Sequence, residues 1–230
     1  MKQLNTTLKS NYHFYGSSLL FLISCGLILL TVSKAESFIS LNSFHCFSLN
    51  VFFVNYTFFG DGIFAISLCA LLFYRKQKKL AVLILLAYLS SGLFTQILKN
   101  CIYAPRPRIY FEASQYLYHL DNFGNSGGGS SSFPSGHTTS AFALATVLAV
   151  HFKNKFTGII LFIAAALVGY SRVYLAQHFP VDVLFGAFIG ISFATLSIVL
   201  MNSRLRIRLP KIIKRQVPEW DNKLPHTAIY

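Results

Sequence analysis

A chain of 230 residues with 54% hydrophobic and 16% aromatic content, but only 12% charged residues, does not have the composition of a water-soluble domain. Its formal charge of +13 would suit a nucleic-acid binder, yet the basic residues gather between long apolar runs. That distribution excludes a nucleic-acid partner and points to a membrane.

Six apolar runs predict six transmembrane helices, at 17–33, 51–73, 80–98, 137–152, 157–175 and 181–201. The expected fold class is therefore all-α: an integral membrane bundle over residues 1–202, with both termini on one side because the count is even, and that side cytoplasmic by the positive-inside rule. The first run follows Lys2 and Lys9, and Leu22-Ile23-Ser24-Cys25 resembles a lipoprotein processing site. Residues 26–32 stay apolar after that cysteine, so an uncleaved helix is expected instead. The second run carries an acid in Phe59-Gly60-Asp61-Gly62, read as a helix cap rather than as the partner of a cation. Loop 75–79, RKQKK, comes next.

The connection from Asn100 to Phe133 holds Tyr103, Pro105 and Pro107, then five more aromatic residues suited to the headgroup layer, then GNSGGGSSS. That last tract reads as a flexible hinge of a mobile cover, or as a plain solvated linker. Residues 203–230 form a basic tail expected to lie on anionic headgroups. Of the 20 Lys and Arg residues, only Lys34, Lys99, Arg106, Arg108 and Arg172 fall on the side opposite the termini and the basic loops. By the positive-inside rule that side is expected to be extracytoplasmic, which in a bacterial cell makes the setting the inner, or plasma, membrane.

Three polar clusters close onto that outer side: Lys99-x6-Arg106-Pro107, Pro134-Ser135-Gly136-His137, and Ser171-Arg172-x5-His178-x3-Asp182. Cleaving a phosphate ester requires cations on the non-bridging oxygens, an in-line nucleophile and a proton for the leaving oxygen. Lys99, Arg106 and Arg172 supply the cations, and a helix start at Ser135-Gly136 offers backbone N–H groups to an anion. His178 is the candidate nucleophile, with Asp182 four residues on to orient its ring. His137 is the candidate acid and base. The other five histidines stand at no metal-ligand spacing, the outer carboxylates are scattered, and no metal or other cofactor is expected. Gly124-Asn125-Ser126-Gly127-Gly128 fits a hydrolase elbow but lacks the strand and helix that motif requires.

These clusters, spanning residues 99–182, resemble the three-part signature of the type 2 phosphatidic acid phosphatase superfamily, and the six-helix layout resembles its membrane-bound lipid phosphatase branch. The resemblance implies metal-independent hydrolysis of a lipid phosphate monoester or diphosphate through a phosphohistidine. It makes His178 the nucleophile, Asp182 its partner and His137 the acid and base, with Lys99, Arg106, Ser135, Gly136 and Arg172 binding phosphate. Undecaprenyl diphosphate, lipid A phosphates and phosphatidyl phosphates are the candidate substrates. The alternative is a lipid-phosphate binding or transport protein that keeps the cations without turnover. Such a protein would need neither His137, His178 nor Asp182. Vanadate-dependent halide oxidation shares the signature but fits poorly with six apolar spans.

Overall fold

The computed structural model describes residues 2–113, 118, 120 and 131–202. The tail over 203–230, and the Gly/Ser tract as far as residue 130, lie outside the described residues. The described chain is all-helical: α1 (Lys2–Ser10), α2 (Tyr12–Thr31), α3 (Lys34–Asn42), α4 (Phe47–Tyr56), a 3₁₀ turn (Thr57–Gly60), α5 (Gly62–Tyr74), α6 (Lys78–Cys101), α7 (Pro107–Ala113), α8 (Gly136–Phe152), α9 (Lys155–Tyr174) and α10 (Pro180–Asn202).

Among the described residues, four helices are long and apolar enough to cross a membrane: α2, α6, α9, and α10 over Pro180–Met201. The expectation of six uniform spans is corrected at its second member. Residues 51–73 are not one helix, because the 3₁₀ turn stops α4 and Asp61 starts a new helix by accepting the N–H of Ile63 at 2.8 Å. Segments Lys34–Asn42 and Phe47–Gly60 are bent by 114° and could count as a fifth, broken span. Helix α5 has 13 residues, about 20 Å at 1.5 Å per residue, against a hydrocarbon core of about 30 Å. The fourth expected span, α8, has 17 residues and is packed inside the bundle.

Small side chains explain that central position. Thr138, Thr139, Ala141, Ala143, Ala145, Thr146 and Ala149 are buried along α8, against α6, α9 and α10. Small residues let helix backbones approach closely where apolar burial alone gives no drive to associate. The closest seam is with α10: a Cβ on Gly186 would come within 2.6 Å of the Ser135 carbonyl oxygen, and one on Gly190 within 2.4 Å of that of Thr139. Outward, by contrast, α2 presents Leu19, Leu20, Leu27 and Leu30, the last 84% exposed, as lipid-facing surface.

Helix direction sets the ends of the bundle. Helices α6 and α9 finish at the end where α8 and α10 begin, and the basic turns 75–77 and 153–154 occupy the opposite end. Helix α3 was not foreseen, although its capping box is complete: the Ser33 hydroxyl accepts the Glu36 N–H, and the Glu36 carboxylate accepts that of Ser33, each at 3.2 Å. Asn42, at its far end, donates to the carbonyls of Val173 (2.9 Å) and Tyr174 (2.8 Å), pinning α3 to the last turn of α9.

Candidate active site

Each polar cluster is delivered by a helix end. Lys99 lies in the last turn of α6, where its Nζ donates to the Ser131 carbonyl at 2.8 Å. Beyond that helix the chain is extended. The N–H of Ser132 donates to the Ala104 carbonyl at 2.8 Å, and the Ser131 hydroxyl accepts from the Ala104 N–H at 3.3 Å. These bonds fasten the two ends of the long connection to each other. Pro107 then opens α7, as its fixed φ and missing N–H favour.

Arg106 and Arg172 each use one guanidinium nitrogen on a neutral partner. Arg106 Nη1 donates to Gln177 Oε1 at 3.0 Å, and Arg172 Nη1 donates to the Thr57 hydroxyl at 2.7 Å. Both Nε atoms are buried, with no hydrogen-bond acceptor among the described residues. A buried donor left unpaired is destabilising, more so on a charged group. Two of them side by side fit a doubly negative, oxygen-rich ligand, and the arginine fork matches phosphate geometry.

His178 sits in a tight loop between α9 and α10. The N–H groups of Gln177 (2.9 Å) and His178 (3.1 Å) both donate to the Arg172 carbonyl, so the cation and the imidazole share one anchoring point. Ala176 takes a left-handed φ of 51° to close this loop. The ring is 3% exposed and Asp182 is 1% exposed. Nδ1 lies 3.6 Å from Asp182 Oδ2, longer than an ordinary hydrogen bond, and 3.3 Å from the Ser132 hydroxyl. Ser132 in turn donates a short hydrogen bond to the same Asp182 oxygen, which also accepts the Phe179 N–H at 2.9 Å. Burial holds the His178 imidazole down at about 4, against the pull of the Asp182 carboxylate and with help from Arg172. At neutral pH the ring is therefore uncharged. Its Nδ1 edge faces Ser132 and Asp182, which leaves the Nε2 lone pair for chemistry.

Ser135 and Gly136 open α8 beside this loop. The Ser135 hydroxyl caps the helix, accepting from the Thr138 N–H at 3.4 Å, while its own N–H donates to the Asp182 carbonyl at 3.0 Å. A Cβ at Gly136 would meet no heavy atom within 4 Å, so the helix start faces open space on that side. His137, in the first turn, has its Nε2 3.7 Å from Asp61 Oδ2, both side chains being part-exposed.

All eight residues singled out in the sequence thus lie at one end of the bundle, tied to one another or to shared loops. Four further polar groups at this end were missed. Thr57 and Gln177 hold the arginines, Ser131 holds Lys99 through its carbonyl, and Ser132 bridges His178 and Asp182. The only sequence signal for Gln177 was its place beside His178. Thr57 stood inside an apolar run, and the two serines inside a tract read as linker. Among the described residues, no three or more His, Cys, Asp or Glu side chains come together as a metal-ligand group.

Residues 80–206 match the family model described as the PAP2 superfamily. The chain is 33% identical over 134 residues to the lipid A 4'-phosphatase of Porphyromonas gingivalis, covering 56% of each chain. It is 38% identical over 76 residues to undecaprenyl-diphosphatase BcrC of Bacillus subtilis, covering 33% of this chain and 38% of that one. The chain thus spans about half or less of the length of these two relatives. In fold it is similar to the crystal structure of the first transmembrane PAP2 type phosphatidylglycerolphosphate phosphatase from Bacillus subtilis. The TM-score is 0.60 at 27% identity, covering 84% of this chain and 98% of that one.

Proposed function

The chain belongs to the PAP2 superfamily, a multi-pass, all-helical membrane protein, and on that premise we propose that it hydrolyses a lipid phosphate monoester or diphosphate through a phosphohistidine at residue 178. One observation carries the reading: a buried imidazole held by its Nδ1 edge beside two arginines whose buried Nε donors have no protein acceptor among the described residues. Binding alone would call for the cations. A tethered nucleophile with a carboxylate behind it is what turnover adds.

In the proposed cycle Lys99, Arg106 and Arg172 take the non-bridging oxygens of the phosphoryl group, with the free N–H groups at the start of α8 completing the cradle. Nε2 of His178 attacks phosphorus, and the bond to the leaving oxygen breaks as His137 gives that oxygen a proton. The ring becomes cationic, and Asp182 with Ser132 stabilises its Nδ1–H. Water, losing a proton to His137, then attacks the phosphohistidine; the N–P bond breaks and inorganic phosphate leaves. Confinement of the basic turns to the end of the bundle away from the site supports an extracytoplasmic active face. The relatives' names supply the substrate classes: a lipid A phosphate, undecaprenyl diphosphate or phosphatidylglycerol phosphate.

The test is phosphate release by purified protein from each of these lipids in detergent. Release from at least one is expected, undiminished by chelator, blocked by vanadate and lowered by about 10⁴-fold or more in His178→Ala. Turnover that survives His178→Ala, or that chelator abolishes, overturns the reading. Headgroup binding by both proteins with release by neither would make the chain a lipid-phosphate binding or transport protein.

A further inference from the structure

The proposed cycle leaves one carboxylate at the site without a part. Asp61 uses its two oxygens differently: Oδ1 accepts the Ile63 N–H at 2.8 Å and so caps α5, while Oδ2 stands 3.7 Å from Nε2 of His137. The cap fixes the carboxylate's direction, with its second oxygen toward the His137 ring.

The turn before it is seated directly on the second histidine. A Cβ on Gly60 would come within 2.7 Å of the His137 carbonyl oxygen and of Val168 Cγ1, and one on Gly62 within 2.2 Å of the Tyr88 hydroxyl. Glycine on both sides is therefore what lets the acid reach this place. Thr57, in the same turn, holds Arg172.

We propose that Asp61 is a positioning residue for His137, its carboxylate holding the ring and stabilising the imidazolium that gives its proton to the leaving oxygen. This rests on the phosphohistidine reading above. Asp61 forms no bond to phosphorus at any step. The proton lost by His137 in the first half-reaction is regained from the attacking water in the second, so the carboxylate is unchanged over a cycle. The groups that face this ring explain the need. Arg172 and Arg106 are cations, His178 becomes one on phosphorylation, and Asp61 is the anion set against them. An imidazole that must carry a proton beside two arginines requires such a counter-charge. His178 and Asp182 form one histidine–carboxylate pair, and His137 and Asp61 form a second from other elements of the fold.

Asp61→Asn separates the two duties of the residue, because Asn caps a helix as well as Asp but carries no charge. Purified variants are compared by thermal unfolding and by kcat and KM on whichever lipid the wild type hydrolyses. Asp61→Asn is expected to keep its Tm and its KM within about two-fold, and to lose kcat by about 10- to 100-fold. The loss should be smaller on a phosphate ester with a better leaving group, which needs less of the proton that His137 gives. Asp61→Glu should restore part of kcat. Should Asp61→Asn fail to fold, Asp61→Ser, another uncharged cap, carries the same expectation. Wild-type kcat in the uncharged variant would leave Asp61 a cap alone and overturn the proposal. His178→Ala in the same assay keeps the two readings apart: inactive His178→Ala beside unaltered Asp61→Asn refutes only the positioning role, whereas active His178→Ala refutes the phosphohistidine.

Discussion

A methyl group added at residue 136 would enter open space, with no heavy atom within 4 Å of it. Alanine in a helix is favoured over glycine by about 0.5–1 kcal/mol, so Gly136→Ala should fold at least as stably as the parent. If phosphate approaches the start of α8, the same methyl group stands in its way, and KM for the lipid phosphate should rise by about ten-fold or more with a smaller change in kcat. Thermal unfolding beside steady-state kinetics checks both halves, and an unchanged KM would place the phosphate elsewhere. Charged and titratable residues such as Lys99, Arg106, His178 and Asp182 were legible in the sequence because their cost in an apolar chain marks them. Ser132 was not. A hydroxyl that bridges His178 and Asp182 has the same composition as one in a linker, and only the pairing of residues 102–104 with 131–132 distinguishes them.

Helices α8 and α10 carry the two halves of the site on one seam, His137 in the first turn of α8 and Asp182 in the first turn of α10. Gly186 and Gly190, four apart, form the face of α10 on which the α8 backbone lies. A Cβ at Gly190 would sit 2.4 Å from the Thr139 carbonyl oxygen, a backbone atom that cannot swing aside. Gly190→Ala should therefore force the helices apart, lowering stability by about 1–3 kcal/mol. It should also reduce kcat/KM from a position eight residues, about 12 Å of helix, beyond Asp182. Thermal unfolding in detergent and phosphate release measure the two effects. A stability loss with unaltered kcat/KM would mean that the site does not depend on this seam. At this scale the sequence exposed the long helices but not the break at 57–60, because hydropathy registers the apolar run and not the turn within it. Asp61 was the visible clue. Its reading as a cap holds at Oδ1, and the contact of its other oxygen with His137 depends on packing between distant segments.

Across the whole molecule, charge and chemistry occupy opposite ends. The turns 75–77 and 153–154 are basic, whereas Lys99, Arg106 and Arg172 lie at the far end, engaged with Ser131, Gln177 and Thr57. Basic residues resist transfer across the membrane, so the basic turns should remain in the cytoplasm and the site should face outward. Two native thiols report on this directly, since Cys46 and Cys101 are free and exposed. Cys101 ends α6, two residues past Lys99, and Cys46 follows His45, whose ring meets the Tyr174 carbonyl at 3.1 Å. Both therefore belong to the site end. A membrane-impermeant maleimide added to intact cells should label the wild-type chain and fail to label Cys46→Ser/Cys101→Ser. Adding Lys76→Cys to that double variant places an exposed thiol in the basic turn, and labelling should return only once the membrane is permeabilised. The reverse pattern would put the imidazoles in the cytosol, where a lipid phosphate of the outer leaflet could not reach them.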